Sequence, residues 1–193
     1  MADTSTRTRI SNPPASKKVT RFLAYVPRHG PDTVGVGMDR RGWVPVDALI
    51  ERSTEHRALT RPMLEDIVAT DGKRRFVFSE DGTKIRAVNG HSVDVDLGLR
   101  PLQPPATLYH GTAVYNVTAI LRNGLLPIGR NHVHLSADRR TAADIGGKLA
   151  WPKVLAVDSA AMAADGLVFH RSENGIWLSG PVPPKYLTVV DEA

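Results

Sequence analysis

Gly98-Leu99-Arg100-Pro101-Leu102-Gln103-Pro104-Pro105-Ala106-Thr107 divides the chain near its middle. Three prolines within five positions exclude a helix or a central strand, because proline has no amide hydrogen and its ring crowds the preceding turn. A chain of 193 residues can hold one domain or two small ones. The proline run favours two, residues 16–97 and 107–193, joined by a linker at 98–106. Residues 1–15 are polar, with Thr, Ser, Arg and Pro, and read as a disordered tail.

Upstream of the linker, Val19, Phe22, Leu23 and Val26 share one helical face, with Ser16 as N-cap. Pro27 is expected to end or kink that helix just before Arg28-His29. Pro45 opens a second helix with Leu49 and Ile50 on one face. Thr60 caps a third, which has Pro62 in its first turn and Leu64, Ile67 and Val68 inward. Residues 75–79 and 84–88 around Asp81-Gly82 form a strong hairpin signal. Three short helices and a hairpin predict a winged-helix lobe, a fold that often binds nucleic acid.

Downstream, the pattern mixes short strands and helices, so the fold class is α+β. Residues 107–110 read as a strand. Residues 113–123 read as a helix with Val117, Ile120 and Leu121 inward and Gly124 as its left-handed stop. A strand then holds Arg130-Asn131-His132-Val133-His134-Leu135, and Ser136 is the expected cap of a helix over 137–145. Three further strands fall at 154–157, 167–170 and 176–179. Neither a dinucleotide-binding glycine fingerprint nor a Walker-type phosphate loop is present.

Composition narrows the function classes. A hydrophobic fraction of 41% with 6% aromatics fits a soluble globular protein. No apolar run approaches the ~20 residues that span a bilayer, and no signal-peptide core is present. Cysteine is absent, which removes disulfides, thiol catalysis and Cys-based zinc sites and fits a reducing, cytoplasmic setting. A net charge of +5 points towards a polyanionic partner.

Five clusters could carry chemistry. In a strand over 130–135, Arg130, His132 and His134 would share one face, either as an anion site or as a solvated edge. Arg28-His29 follows a helix end, where cations also complement the helix dipole. Lys73-Arg74-Arg75 enters the hairpin; it is a solvated turn or, through the planar forks of arginine, a phosphate clamp. Tyr109-His110-Gly111-Thr112 reads as a strand-to-helix junction offering close backbone approach and free amides. Asn174-Gly175-Ile176-Trp177-Leu178 reads as a turn feeding an apolar strand. Two or three histidines without a carboxylate or cysteine at usual spacing make a poor metal set, so no metal is expected. Asp138, Asp144, Asp158, Asp165 and Glu173 are scattered, and the site is read as cationic.

Taken in order, these motifs resemble the RNA (tRNA) 2'-phosphotransferases over roughly residues 15–190. The matching pieces are Arg28-His29, Lys73-Arg74-Arg75-Phe76, Asn89-Gly90-His91-Ser92 and Leu108-Tyr109-His110-Gly111-Thr112. Gly124-Leu125, Arg130 to Ser136, Asn174 to Leu178 and Pro184-Lys185-Tyr186-Leu187 follow. Any one is weak; their shared order makes the match specific.

The resemblance implies a winged-helix lobe followed by a lobe of the ADP-ribosyltransferase fold. It implies NAD+ as co-substrate in the second lobe and the 2'-phosphate of an RNA between the lobes. The products are 2'-OH RNA, nicotinamide and ADP-ribose 1'',2''-cyclic phosphate. It assigns catalysis and phosphate binding to Arg28, His29, Arg75 and Arg130, with His91 also on the RNA side. His29 either contacts the phosphate or assists proton transfer. His110, Gly111, Thr112, His134, Ser136 and Asn174 are the NAD+ contacts it implies, and Ile176 takes the place of the acidic residue of protein-modifying relatives. His132 receives no role. Pro27, Asn89 and the 148–152 stretch depart from the family's usual Leu, Gln and Arg-His-Gly loop. The chemistry does not require tRNA splicing and is equally compatible in kind with RNA damage repair or detoxification, and nothing demands more than a monomer. Two other readings stay open: an ADP-ribosyltransferase acting on terminal phosphates or another target, and a winged-helix binding protein with an inert second domain.

Overall fold

The computed structural model describes residues 17–54, 59–146 and 151–190. The expected tail, the Ser16 cap and most of the departing 148–152 stretch lie outside these. The architecture is mixed α+β, with six α-helices and three small antiparallel sheets among the described residues.

The first half is three helices against a small sheet. Helix α1 (Lys17–His29) buries Val19, Phe22, Leu23 and Val26. Pro27 does not end it, and the helix continues through His29. In the last turn proline forfeits a single hydrogen bond, to the Leu23 carbonyl, and the fully packed Leu23 and Val26 keep the turn seated. Strand β1 (Val44–Pro45) precedes α2 (Val46–Thr54), so Pro45 ends a strand rather than starting a helix. Helix α3 (Arg61–Thr70) is capped as expected, Thr60 accepting from the Met63 amide. Strands β2 (Phe76–Phe78) and β3 (Lys84–Ala87) form the hairpin, and the sheet order is β1-β3-β2. Leu23, Leu49, Leu64 and Ile85 centre one hydrophobic cluster. Each such side chain contributes roughly 1.5–3 kcal/mol by leaving water.

Residues 91–106 carry no regular structure, as the prolines require. They are nonetheless pinned to the second half: the Leu102 amide donates to the Phe169 carbonyl, and Ser159 Oγ donates to the Pro105 carbonyl.

The second half holds two three-stranded sheets. Strand β4 (Thr107–Ala113) pairs with β6 (Pro152–Asp158), which pairs with β9 (Leu187–Val190). Strand β5 (Val133–Leu135) pairs with β8 (Trp177–Ser179), which pairs with β7 (Phe169–Arg171). Both sheets send alternate residues into a second cluster around Leu108, Leu135, Val157 and Phe169. They meet at one bridge, where the backbones of Tyr109 and Ser136 exchange two hydrogen bonds. Helices α4 (Val114–Asn123), α5 (Arg139–Gly146) and α6 (Ser159–Ala164) complete the half.

Several local expectations change. Strand β4 runs three residues beyond His110, so His110-Gly111-Thr112 lies within a strand and not at its end. Leu121 is exposed; Val117 and Ile120 form the inward side of α4. Gly124 has positive φ (87°) but an extended ψ (171°), because the chain leaves α4 directly into a bridge with Val182. Asp138, not Ser136, caps α5, its Oδ1 accepting from the Thr141 amide. Only Val133–Leu135 of the basic segment is a strand; Arg130 to His132 belong to the turn before it.

Candidate active site

A cleft of about 540 Å³ opens where the two halves face each other. From the first half it takes Arg28 and the loop Gly72 to Arg75, and from the second His110, Gly111, Arg130, His134, Ser136 and Asn174. Arg28, Lys73, Arg74, Arg75 and Arg130 line it against one carboxylate, that of Asp144.

Arg28 reaches the cleft from the last turn of α1. Its guanidinium lies over the Phe76 ring, 5.6 Å from the centroid, and beside Gly90, whose φ of 84° needs no side chain. Its Nε is buried without a hydrogen-bond partner among the described residues. Burial, then the neighbouring Arg130 and Arg75 cations, pull its pKa down to about 10, Asp71 opposing. A buried cation short of acceptors, beside two further cations, is chemically suited to an anion.

Arg75 is oriented by Asp71, the residue that ends α3. Nε and Nη2 of Arg75 donate to Asp71, the shortest contact being 2.9 Å, while the Arg75 amide donates to Asp71 Oδ2 at 2.8 Å. Burial works to raise the Asp71 pKa, but the Arg75 hydrogen bonds and charge outweigh it and hold the carboxyl low. Between them Arg74 takes a left-handed φ of 46°, a backbone cost that persists where the surrounding structure over-determines the chain. Arg130 sits in an exposed turn closed by its amide on the Pro127 carbonyl.

The two histidines that flank the Tyr109–Ser136 bridge are locked into one tautomer. A carbonyl only accepts, so His110 Nδ1 donates to the His134 carbonyl (3.1 Å) and His134 Nδ1 donates to the His132 carbonyl (3.0 Å). The lone pair of each neutral ring is therefore on Nε2, and that of His134 is buried and unpartnered. Burial and then Arg130 depress the His134 pKa to about 3; burial, partly offset by its bond to the His134 carbonyl, and Arg130 lower His110. Positive charge in the cleft is thus carried by arginine and lysine, while the histidines present acceptors suited to sugar hydroxyls.

The remaining sequence candidates spread around this centre. His29 does not line the cleft; its Nδ1 pairs with Ser92 Oγ at 2.9 Å, and burial, Arg28 and Arg130 lower its pKa. His91 is buried with Nε2 unpartnered and lines a neighbouring cavity of about 260 Å³. His132 lines that cavity too, and also a third, of about 410 Å³, which Thr112 borders. Gly111 is in the cleft wall, but the space of its missing side chain is filled by α5, with Ala142 O and Gly146 N closest. Asn174 lines the cleft with both ends of its amide already engaged. Sequence reading missed Asp71, Ser172 and Asn89 as organisers of the site; an aspartate at the end of a helix, one glycine before a basic triplet, was the available signal for the first. Among the described residues no three His, Asp or Glu side chains cluster to hold a metal ion, and no helix is long and apolar enough to cross a membrane.

A profile of the RNA 2'-phosphotransferase, Tpt1/KptA family, matches residues 14–180. A probable RNA 2'-phosphotransferase of Agrobacterium fabrum is 47% identical over 175 residues, covering 90% of this chain and 94% of the relative. Its counterpart in Streptomyces coelicolor is 47% identical over 171 residues (88% and 93%), and that of Acaryochloris marina 43% over 176 (91% and 97%). A match of this extent places the chain in the Tpt1/KptA family of RNA 2'-phosphotransferases.

Proposed function

We propose that the protein is an NAD+-dependent enzyme that removes an internal 2'-phosphate from RNA. The observation that carries this is the convergence of Arg28, Arg75 and Arg130 on one cleft, beside two histidines held neutral. Three guanidinium groups fit a dianionic phosphate, and the neutral rings fit the hydroxyls of a ribose.

In this reading the first half is a winged-helix lobe (16–97) that receives RNA, and the second an ADP-ribosyltransferase-like lobe (107–193) that receives NAD+, with 98–106 as connector. A 2'-phosphate oxygen attacks C1'' of the nicotinamide ribose, and the C1''–N bond breaks with its electron pair leaving on nicotinamide. The phosphate is already ionised near neutral pH, so this step needs no general base, which suits Ile176 where protein-modifying relatives use an acid. The ribose 2''-hydroxyl then attacks phosphorus, its proton is released, and the RNA 2'-oxygen leaves and takes up a proton. The products are 2'-OH RNA and ADP-ribose 1'',2''-cyclic phosphate. Charge builds on the phosphate oxygens in this second step, and preorganised guanidinium groups are the expected catalysts. Holding the phosphate against C1'' supplies the rest. His134, His110 and Ser136 are assigned to the NAD+ ribose side, Thr112 behind them, and His91 to the RNA side. His29, tied to Ser92 at the cleft margin, is assigned to outer phosphate contact or proton transfer. A cysteine-free enzyme of this kind is expected to work in the cytoplasm, as a monomer and without metal.

The test is incubation with NAD+ and a 2'-phosphorylated oligoribonucleotide, with products read by mass spectrometry. Nicotinamide, 2'-OH RNA and the cyclic phosphate are expected. Folded protein without turnover would overturn the proposal, and a stable ADP-ribosylated product would favour terminal-phosphate transfer instead.

A further inference from the structure

We infer that Asn89, Ser172 and Asn174 form a positioning clasp that sets the Arg75 loop against Arg130, a role that rests on the functional reading above. Asn89 follows the hairpin of the first half; Ser172 and Asn174 sit in the turn between β7 and β8 of the second. Asn89 Nδ2 donates to Asn174 Oδ1 at 2.8 Å and to Ser172 Oγ at 3.0 Å. Ser172 Oγ is 2.8 Å from Asn174 Oδ1, and Asn174 Nδ2 donates to the Lys73 carbonyl at 3.0 Å. Asn89 and Ser172 are buried, at 7% and 4% exposure, so the polar groups cannot fall back on water.

The bond to Lys73 is what couples the clasp to chemistry. Lys73 stands two residues before Arg75, and the strained Arg74 lies between them. Asp71 anchors this loop to α3 from the first half, and Asn174 anchors it from the second. Beside the clasp, Arg86 donates to Glu173 across the same seam while its guanidinium lies over Trp43. With Oδ1 accepting from Asn89 and Nδ2 bound to Lys73, Asn174 keeps one amide hydrogen for any ligand. It lines the same cleft as Arg75 and Arg130.

The test is steady-state kinetics on the full chain, varying NAD+ and a 2'-phosphorylated oligoribonucleotide separately. Asn89→Ala is expected to raise KM for the RNA about five- to tenfold with KM for NAD+ unchanged, and Asn174→Ala, which also removes the Lys73 bond and a side chain of the cleft wall, to raise KM for the RNA at least as much. The double variant is expected to lose no more than the worse single one, because the residues act as a unit. Asn89→Gln, a longer side chain with the same amide, is expected to restore most of the RNA affinity. Asn89→Ala leaves the Lys73 bond in place and keeps the test open if Asn174→Ala does not fold. A rise in KM for NAD+ alone, additive losses, or lowered stability with unchanged kinetics would each overturn the clasp while leaving the function standing. An inactive wild type would overturn the functional reading itself.

Discussion

The carbonyl oxygen of Ala142 lies 1.9 Å from where a side-chain carbon on Gly111 would sit. Helix α5 therefore crosses β4 at backbone contact, and this crossing carries Thr141, Asp144 and Ile145 to the cleft wall. A methyl group at 111 must push the helix backbone away, with no flexible side chain to yield. Gly111→Ala is expected to cost about 3 kcal/mol, the upper part of the usual overpacking range. Denaturant unfolding monitored by Trp fluorescence measures it; a cost within about 0.5 kcal/mol, the scale of a neutral surface change, would contradict the packing described.

Arg130 gives the opposite result. Its side chain is exposed and makes no hydrogen bond among the described residues, while its charge depresses both Arg28 and His134. Arg130→Ala should leave stability within about 0.5 kcal/mol. Turnover should fall roughly 100- to 1000-fold, the scale of removing one preorganised charge donor. Because the cation's field is gone, the His134 pKa should rise, which ring-proton NMR titration can follow. Activity near wild type would remove Arg130 from the catalytic set.

What was readable in the sequence was local. The Thr60 cap, the Asp81-Gly82 hairpin and the amphipathic face of α1 each depend on residues a few positions apart, and all three are present. Ser136 and Asp138 are both good capping types, and the chain uses Asp138 because the Ser136 backbone is engaged with Tyr109 in the bridge between sheets. That bridge pairs positions far apart in sequence, which no periodicity reports. The same holds for the clasp, whose Asn89–Asn174 bond spans the two halves. Motif order singled out Arg28, Arg75 and Arg130, which line one cleft; it could not show that His29 pairs with Ser92 or that Gly111 serves helix packing.

Asp71 should behave as a positioning residue for Arg75. Its side chain is 6% exposed against 32% for Arg75, so removing it leaves a half-buried guanidinium without its anchor and the loop amides of Lys73 and Arg75 without an acceptor. Asp71→Ala is expected to cost about 2 kcal/mol, below the full penalty for breaking a buried pair because Arg75 keeps some solvent. KM for the phosphorylated RNA should rise, with that for NAD+ unaffected. Asp71→Asn keeps one acceptor and should fall between the two. Equal kinetics for all three proteins would show that Arg75 needs no such anchor.

Buried neutral histidines make the fold sensitive to mild acid. Burial, then the Arg28 charge, lowers the His91 pKa to about 4, and burial with Arg130 lowers His134 to about 3, both from an unfolded value near 6.5. Between these values the unfolded chain binds more protons than the folded one, so stability falls as pH falls. The contribution is complete above pH 6.5 and is lost progressively from there down to about pH 4 for His91 and 3 for His134. Together they should remove a few kcal/mol, of the order set by 1.36 kcal/mol per pKa unit. The carboxylates Asp39 and Asp71 lose stability in the same direction, but only below the ordinary aspartate value of 3.8. Urea midpoints measured at half-unit steps from pH 7.5 to 4.5 should therefore decline steadily, and the decline should become shallower in His91→Gln. A flat profile down to pH 5 would mean that these rings find water or a partner on protonation.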